Sequence, residues 1–383
     1  MPEPFKTFFN TGTIAMIGAN LAARSPGFDR DRFEALAGDG LEALELKARA
    51  AQITRALDAC LPRDFGPACD LMLAALAPAD AAEGAPGIRG WAVMPMADLV
   101  ALRGLGDFDR AMEVLAEMTR RFSSEFAVRP FILADPERAM GHMMRWTGHA
   151  DWRVRRLASE GSRPRLPWGM RLAPFVADPA PLMPLLGRLR DDPSEDVRRS
   201  VANSLNDIAK DHPDLVAGIA RDWLAGAPPE RRRLVRHACR SLVKAGHRPT
   251  LAALGFGEAA LRLERLDLAS PVVAFGEALE FVACLRSEGG DPQEIVLDYA
   301  IHHRKANGGT SAKVFKWRQL SLAPGETLEL ARRHSIRRIT TRVYHDGAHR
   351  LEILANGRAL GEIGFELVGA AAGQRVGTGV SPR

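Results

Sequence analysis

The amino-acid sequence predicts a chain of two folded parts, an all-α repeat array followed by an all-β sandwich. Three observations carry this prediction. The 383 residues exceed the size at which one hydrophobic core usually stops growing. Apolar residues recur at three- and four-residue spacing up to about residue 262, and they alternate singly from about residue 264. Within the helical part, valine-arginine motifs recur at intervals of 43 and 38 residues.

The overall composition is that of an ordinary globular protein, with 46% hydrophobic and 26% charged residues. A net charge of +5 is too small to identify a partner, so the placement of the charges must decide. The N-terminal residues contain no apolar signal segment, and no apolar run approaches the roughly 20 residues that cross a bilayer. The cysteines lie far apart and form no CxxC pair: Cys60, Cys69, Cys239 and Cys284. We therefore expect a cytoplasmic protein with reduced thiols, no metal and no membrane contact.

The helical part contains a three-fold repeat. The motifs Val154-Arg155-Arg156, Val197-Arg198-Arg199 and Val235-Arg236-His237 are each predicted to open a helix. Turn signals precede two of them, at 192–194 (DPS) and 228–230 (PPE). This spacing is close to that of HEAT repeats, in which paired helices stack into a solenoid.

The middle helix of this repeat has one apolar and one polar side. At 100° per residue its apolar stripe consists of Val197, Val201, Leu205 and Ile208. The opposite, polar side carries Arg199, Asn203, Asn206, Asp207 and Lys210. Equivalent positions on the other two helices are Arg156 and Glu160, and His237, Ser241 and Lys244. A solenoid aligns such positions, which predicts a basic stripe holding two carboxylates. The alternative is an ordinary solvated helix face.

The second part contains strand-like stretches such as 295–301 and 350–354, separated by turn signals. These signals are 289–292 (GGDP), 307–309 (NGG), 323–325 (APG) and Asn356-Gly357, the last a hairpin signature. Six to eight strands over 264–368 predict an immunoglobulin-like sandwich, and 369–383 is predicted to be disordered.

The charge of the second part is concentrated in one segment. Residues 301–350 contain eleven basic and three acidic residues. Five histidines add to this segment: His302, His303, His334, His345 and His349. We interpret the segment as one cationic face that binds DNA, and the alternative is a chance segregation of surface charge.

Several segments resemble the AlkC-type alkylpurine DNA glycosylases. The two longest are VRRLASEGSRPRLPW at 154–168 and DDPSEDVRRSVANSLNDIAKDHP at 191–213, and the shorter ones are EPFKTFFN at 3–10, EFAVRPF at 125–131, KANG at 305–308 and KVFK at 313–316. The resemblance implies a HEAT-like solenoid over 1–262 and an immunoglobulin-like domain over 264–368. It also implies excision of cationic bases such as 3-methyladenine from double-stranded DNA, without full extrusion of the nucleotide.

The same resemblance implies the roles of individual residues. Asp207 and Glu160 correspond to catalytic carboxylates, Glu125 to a third, and Trp168 to an aromatic residue that contacts the lesion or deoxyribose. A cationic base leaves without a protonating acid, so the carboxylates need only stabilise the transition state and orient a water. No lysine in these motifs suggests a Schiff base, so we expect hydrolysis without strand cleavage, by a monomer without cofactors.

Arginines and lysines around these motifs are predicted to bind DNA. Arg153, Arg155, Arg156, Arg163, Arg165 and Arg171 surround one acid, Glu160, and arginine binds phosphate in bidentate fashion. The predicted DNA-binding set is Arg156, Arg163, Arg165, Arg199, Lys210, Lys305, Lys313 and Lys316.

Less specific interpretations stay open for each group. Glu160 could pair with Arg156 one helical turn away, and Trp168 could pack between helices. The main alternative function is a non-catalytic HEAT-repeat scaffold for nucleic acid or protein. A lyase acting on a bound cofactor has no support, since no reactive cysteine is placed in these motifs.

Overall fold

In the computed structural model, the protein is described at residues 5–80, 84–339 and 342–370. The predicted disordered tail lies outside the described residues from residue 371 onward. Sixteen α-helices precede residue 254 in this part of the chain, and eight β-strands follow from Leu261. The predicted fold class is therefore confirmed, with helices first and a β-sandwich after them. Among the described residues, no helix is long and apolar enough to cross a membrane.

The first eight helices lead to the segment that contains Glu125 and continue just beyond it. They are α1 (Thr11–Ala22), α2 (Arg30–Gly38), α3 (Leu46–Cys60), α4 (Phe65–Ala75), α5 (Met94–Arg103), α6 (Phe108–Thr119), α7 (Arg129–Ala134) and α8 (Pro136–Trp146). The other eight are α9 (Trp152–Gly161), α10 (Ala173–Ala177), α11 (Met183–Leu189), α12 (Glu195–Ile208), α13 (Pro213–Leu224), α14 (Pro229–Ala238), α15 (Arg240–Lys244) and α16 (Arg248–Ala253). Short 3-10 turns, including Phe5–Phe8 and Gly90–Val93, lie between some of them or precede them.

Local sequence explains where several helices begin. The side chains of Asn10, Asp29, Asp135 and Asp151 each accept a hydrogen bond from a backbone N–H of the following first turn. Helix α9, which carries Glu160, therefore begins directly after Asp151. Two of the valine-arginine motifs lie in first turns as predicted, in α9 and in α12.

The third motif was placed wrongly. Helix α14 begins at Pro229, so Val235-Arg236-His237 forms its last turn rather than its first. Proline is favoured at the first helical position, and Glu230 follows it in the first turn, so the predicted turn signal is itself the helix start. Ser241 and Lys244 lie on the separate helix α15 and do not extend the polar side of α14.

The described residues form two compact units. The first runs to Asp211 and also includes Pro229–Ala238, so it contains α1–α12 and α14. The second holds His212–Pro228 and the described chain from Cys239 onward, so α13, α15 and α16 group with the strands. Within the first unit α12 packs against both α9 and α14. The change from helix to strand falls between Ala253 and Leu261, just before the predicted boundary at residue 262, and the boundary between domains remains a prediction.

The sandwich consists of two sheets. Its strands are β1 (Leu261–Leu268), β2 (Val272–Ala274), β3 (Ala278–Ser287), β4 (Gln293–Arg304), β5 (Thr310–Leu322), β6 (Thr327–Ser335), β7 (Gly347–Ala355) and β8 (Arg358–Val368). One sheet has the order β1-β3-β6 and the other β2-β8-β7-β4-β5, so β5 is an edge strand. All pairs are antiparallel except β2 with β8.

Alternating side chains of β3 and β7 face the sandwich core, and β4 is buried at every position from 295 to 301. Phe281 of β3, Tyr299 of β4 and Ile353 of β7 are buried in it. All four predicted turns fall between strands. Asn356 and Gly357 have φ values of 47° and 75°, which is the left-handed geometry of a two-residue hairpin turn. The Asn356 side chain also accepts a hydrogen bond from Val296 N, which ties the hairpin to β4.

Candidate active site

Two carboxylates from different helices are buried in the first unit. Glu160 lies in the last turn of α9 and Asp207 near the end of α12, and they are 5% and 3% exposed. Since α12 packs against α9, neither side chain lies on an ordinary solvated helix face. That alternative interpretation is wrong for both residues. A charge is buried only at high cost unless it is paired, so their partners determine what these groups do.

The side chain of Arg163 joins these two carboxylates. Its Nη1 donates to Glu160 Oε1 at 2.7 Å, and its Nε donates to Asp207 Oδ2 at 2.9 Å. Arg163 is itself only 6% exposed. Burial disfavours its charge, but the hydrogen bond to Asp207 and the attraction of both carboxylates raise the pKa of Arg163 above its ordinary value. This placement argues against the predicted phosphate contact, because the guanidinium faces two carboxylates away from solvent.

The third predicted carboxylate, Glu125, joins the same cluster through Arg156. Glu125 lies in the turn before α7, and its Oε2 accepts hydrogen bonds from Arg156 Nη1 at 3.0 Å and from Ser123 Oγ at 2.8 Å. Arg156 Nη2 lies 3.8 Å from Glu160 Oε1. The expected Glu160–Arg156 pair is therefore long, and Arg163 is the closer partner of Glu160.

A further arginine, Arg129, lies beneath the cluster and is completely buried. Its Nη1 donates to Gly161 O at 2.8 Å and its Nε to Met170 O at 2.6 Å. Burial, together with the neighbouring Arg163 charge, lowers the pKa of Arg129 to about 10, so it stays protonated at neutral pH. Sequence analysis missed this residue. The signal that could have found it is the segment 125–131, where an arginine precedes a proline at the start of a helix.

A cleft of about 410 Å³ opens beside Glu125 and Glu160, whereas Asp207 does not line it and is linked to it through Arg163. Glu125, Arg156, Glu160 and Arg163 form its charged wall, and its apolar wall consists of Trp91, Phe122, Phe126, Leu166, Pro167 and Trp168. The charged wall has no net charge, because Arg156 and Arg163 pair with Glu125 and Glu160. An aromatic face attracts a cation electrostatically, so the attraction for a cation comes from the aromatic wall. The cleft can therefore accept a flat, positively charged ring.

Trp168 is displayed at the edge of this cleft rather than packed between helices. Its side chain is 58% exposed, and its backbone φ of 62° is in the left-handed region that a bulky residue adopts only under constraint. Lys47 Nζ donates to Trp168 O at 2.7 Å, and Gly169 N bonds back to Leu166 O. Backbone strain of this kind is characteristic of ligand-binding positions.

The remaining arginines of the predicted cluster differ in their surroundings. Arg155 donates to Asp192 at 2.6 and 3.0 Å and to the backbone carbonyls of His149 and Ala150. It therefore links the turns before α9 and α12. Arg165 forms a two-pronged pair with Asp211, and Arg199 pairs with Glu195 at 2.9 Å on the outer side of α12.

More exposed cations lie near the same helices. The Arg199 side chain is 56% exposed, and that of Lys210 is 48% exposed, with its Nζ 3.4 Å from Asp207. Arg153 pairs with Asp151, and Arg171 is exposed.

In the second unit, three predicted DNA-binding lysines are exposed. Lys305 lies in the turn before β5, and Lys313 and Lys316 lie on β5 itself, at the edge of the sheet. Arg332 and Arg333 of β6 are exposed on the other sheet. The basic segment therefore spreads over both sheets of this unit.

The histidines do not extend this charge as predicted. Burial lowers the pKa of His303 to about 3 and that of His334 to about 4, and it lowers that of His349 as well. These three rings are therefore neutral at pH 7. His302 faces Glu352 at 2.9 Å. The positive charge of the segment comes from its lysines and arginines.

Comparisons with known proteins give matches to both parts of the chain. A family model for the C-terminal Ig-like domain of the uncharacterised protein YhaZ matches residues 262–369, and a HEAT repeat model matches residues 182–212. YhaZ of Bacillus subtilis (strain 168) is 34% identical over 364 residues, which are 94% of this chain and 99% of YhaZ.

A solved structure also matches almost the whole chain. It is the Pseudomonas fluorescens alkylpurine DNA glycosylase AlkC, bound to DNA that contains an abasic site analog. It is 37% identical, with a TM-score of 0.81, and the match covers 96% of this chain and 100% of that one. Within the described residues of this chain, no three His, Cys, Asp or Glu side chains are grouped to hold a metal ion.

Proposed function

We propose that this chain, which belongs to the family of YhaZ and the alkylpurine DNA glycosylase AlkC, releases alkylated bases from DNA by cleaving the bond between base and deoxyribose. The observation that carries the proposal is the pair of buried carboxylates, Glu160 and Asp207, held on one arginine beside an aromatic cleft. The likeness to AlkC over nearly the full chain supports the transfer of activity, since it includes both the helical part and the sandwich.

The reaction proposed is hydrolysis of a cationic base such as 3-methyladenine. Cleavage of an N-glycosidic bond develops positive charge on the sugar, as in glycoside hydrolysis. Glu160, Asp207 and Glu125 supply negative charge that stabilises this cation, and one of them orients the attacking water. The departing base already carries its positive charge, so no acid has to protonate it. All three carboxylates are in ion pairs with arginine or lysine, an arrangement suited to electrostatic stabilisation rather than proton donation.

Arg163 has the role of a positioning residue in this proposal. It holds Glu160 and Asp207, which come from two different helices, at one fixed separation. Catalytic groups must be held within a fraction of an ångström of their working positions, and a buried arginine that donates one hydrogen bond to each of two carboxylates does this at low entropic cost. Arg129 supports the loop behind it through the carbonyls of Gly161 and Met170.

The DNA contacts proposed are cations outside the cleft, which are exposed except for the half-buried Arg165. Arg165, Arg199 and Lys210 of the first unit, and Lys305, Lys313 and Lys316 of the second, contact phosphates of double-stranded DNA. Arg156 and Trp168 line the cleft. Arg156 lies near the lesion, and Trp168 contacts the lesion or its deoxyribose. The protein acts as a monomer without metal or cofactor, and the damaged nucleotide is not fully extruded.

The direct test is incubation with a duplex that contains 3-methyladenine, followed by chromatography of the released base. The proposal predicts methylated base in solution and a strand that breaks only after alkali treatment. Borohydride should trap no protein–DNA adduct. Trapping would identify an amine nucleophile, and the first residue to substitute would then be Lys210, whose ammonium lies beside Asp207.

A non-catalytic scaffold is the competing function. Its support is that every candidate carboxylate already has a cationic partner inside the protein, as structural ion pairs do. DNA binding without any base release from methylated duplexes would favour this function over the glycosylase.

A further inference from the structure

A row of aromatic rings continues from the cleft to the N-terminal 3-10 turn. The ring of Phe8 stacks on Trp91 at 5.1 Å between centroids, with 8° between the planes. Phe5 meets Trp168 edge to face at 5.9 Å and lies 6.2 Å from Trp91. Trp91 and Trp168 also line the cleft. We call these four side chains, Phe5, Phe8, Trp91 and Trp168, the aromatic platform.

Three members of the aromatic platform are open to solvent. Phe5 is 56% exposed, Phe8 44% and Trp168 58%. In the described part of the chain, no other phenylalanine, tyrosine or tryptophan is exposed. Isolated exposed apolar residues are normal, but all the exposed aromatic rings gathered at one place indicate a contact surface.

Buried side chains and hydrogen bonds from α3 hold the aromatic platform in place. Phe9, in the same segment, is completely buried and meets Trp91 edge to face. The buried side chain of Arg49 on α3 donates to Phe9 O at 2.8 Å and to Lys6 O at 3.3 Å. From the same helix, Lys47 donates to Trp168 O. Helix α3 thus fixes both the N-terminal turn and the strained Trp168 loop, so the rings are presented in a preset arrangement.

From this placement we infer that the aromatic platform stacks against a nucleobase of the damaged strand that the bound duplex leaves unstacked. The inference rests on the proposed function, which brings damaged DNA to the adjoining cleft. Aromatic side chains stack on any base whose face is exposed, and such stacking contributes about 1–3 kcal/mol per base. A regular duplex hides these faces, so the platform distinguishes distorted DNA from undamaged DNA. Trp91 and Trp168 of the platform also line the cleft proposed for the lesion, which favours a nucleobase over a hydrophobic protein partner.

Binding measurements test the inference without relying on chemistry. The probes are a labelled duplex with a tetrahydrofuran abasic analogue and the same duplex undamaged. We expect Phe5→Ala/Phe8→Ala to weaken binding of the abasic duplex about 5- to 150-fold. Binding of the undamaged duplex should change much less. The salt dependence should stay the same, since every phosphate contact is retained. Leu36→Ala, which removes a side chain as exposed as Phe8 from α2, is the matched control and should bind like the wild type.

A second pair of variants separates stacking from simple apolar contact. Phe5→Leu/Phe8→Leu keeps apolar bulk at both exposed positions but removes the rings. Stacking predicts that this pair also loses affinity for the abasic duplex. Wild-type affinity for the abasic duplex in the leucine pair or in the alanine pair would overturn the stacking role of the aromatic platform. The proposed function would still stand in that case if the wild-type protein releases methylated base. A wild-type protein that releases no methylated base and does not prefer the abasic duplex would instead overturn the proposed function.

Discussion

Replacement of Arg163 by methionine tests how the carboxylate cluster is held together. The change removes the guanidinium but keeps a long apolar side chain, so Glu160 and Asp207, which are 5% and 3% exposed in the wild type, lose their shared partner. Loss of one partner from a buried ion pair costs about 3–5 kcal/mol. Lys210 at 3.4 Å and Arg156 at 3.8 Å stay nearby, so we expect the lower end of this range.

The same substitution should slow base release more than it weakens binding. Displacement of a catalytic group by about 1 Å costs on the order of 100-fold in rate. Urea unfolding would give the loss in free energy, and single-turnover release from a 3-methyladenine duplex at saturating protein would give the rate. Arg138→Met on α8 is the matched control, because Arg138 forms an exposed two-pronged pair with Asp109 outside the cleft and such pairs contribute only about 0–1 kcal/mol.

The salt dependence of DNA binding distinguishes a buried arginine that links two carboxylates from the phosphate contact that the sequence predicted for Arg163. A phosphate contact at Arg163 requires that its removal reduce the slope of log K against log salt by about 0.9 and leave stability unchanged. If Arg163 instead bridges Glu160 and Asp207 inside the protein, its removal should leave the slope unchanged and lower the free energy of unfolding. An Arg163→Met protein that is as stable and as active as the wild type would refute the reasoning about the bridge.

Three further predictions concern the other parts of the protein. Joint replacement of Lys305, Lys313 and Lys316 by alanine should lower the salt slope of DNA binding by about 0.9 for each phosphate that is no longer neutralised, and an unchanged slope would remove β5 from the interface. Burial lowers the pKa of His303 to about 3 in the folded state, against about 6.5 for a histidine in the unfolded chain. Between these two values the unfolded chain binds more protons than the folded one. The neutral ring therefore stabilises the fold above about pH 6.5, and this stability is lost as the pH falls toward 3, by up to about 1.4 kcal/mol per pH unit. His303→Leu should flatten the loss of unfolding free energy that urea unfolding measures between about pH 7.5 and about pH 4.5. An equal loss in the variant and the wild type would count against a buried neutral ring. Release of 3-methyladenine should exceed that of a neutral lesion such as hypoxanthine by about 100-fold in single turnover, equivalent to about 2.7 kcal/mol of barrier, and comparable rates would point to an acid among the cleft residues.

Much of the fold follows from local sequence. The change of apolar period near residue 263 and the four turn signals located the strands, because side-chain alternation and positive-φ turns are local properties. The helical register also placed Glu160 and Asp207 on equivalent sides of α9 and α12. The third repeat motif was misplaced because Pro229 reads equally well as a turn residue or as the first residue of a helix.

The electrostatics of the site could not be predicted in the same way. Arg163 looked like a phosphate ligand in sequence, but its partner Asp207 lies 44 residues away on another helix. Only the packing of α9 against α12 brings them together and excludes solvent. The histidines of the sandwich present the same difficulty, since the sheet partners around His303 and His334 determine whether each ring is buried and neutral.

The catalytic role of the two buried carboxylates is tested most directly by base release from Glu160→Gln and Asp207→Asn proteins. Under single turnover with a 3-methyladenine duplex, each should release the base about 100- to 1000-fold more slowly than the wild type, as expected for loss of one preorganised electrostatic group. Circular dichroism and DNA binding should show folded, binding-competent proteins. Glu195→Gln, which changes an exposed carboxylate paired with Arg199 on α12, should keep the wild-type rate. Wild-type rates in both Glu160→Gln and Asp207→Asn would contradict a catalytic role for the buried pair.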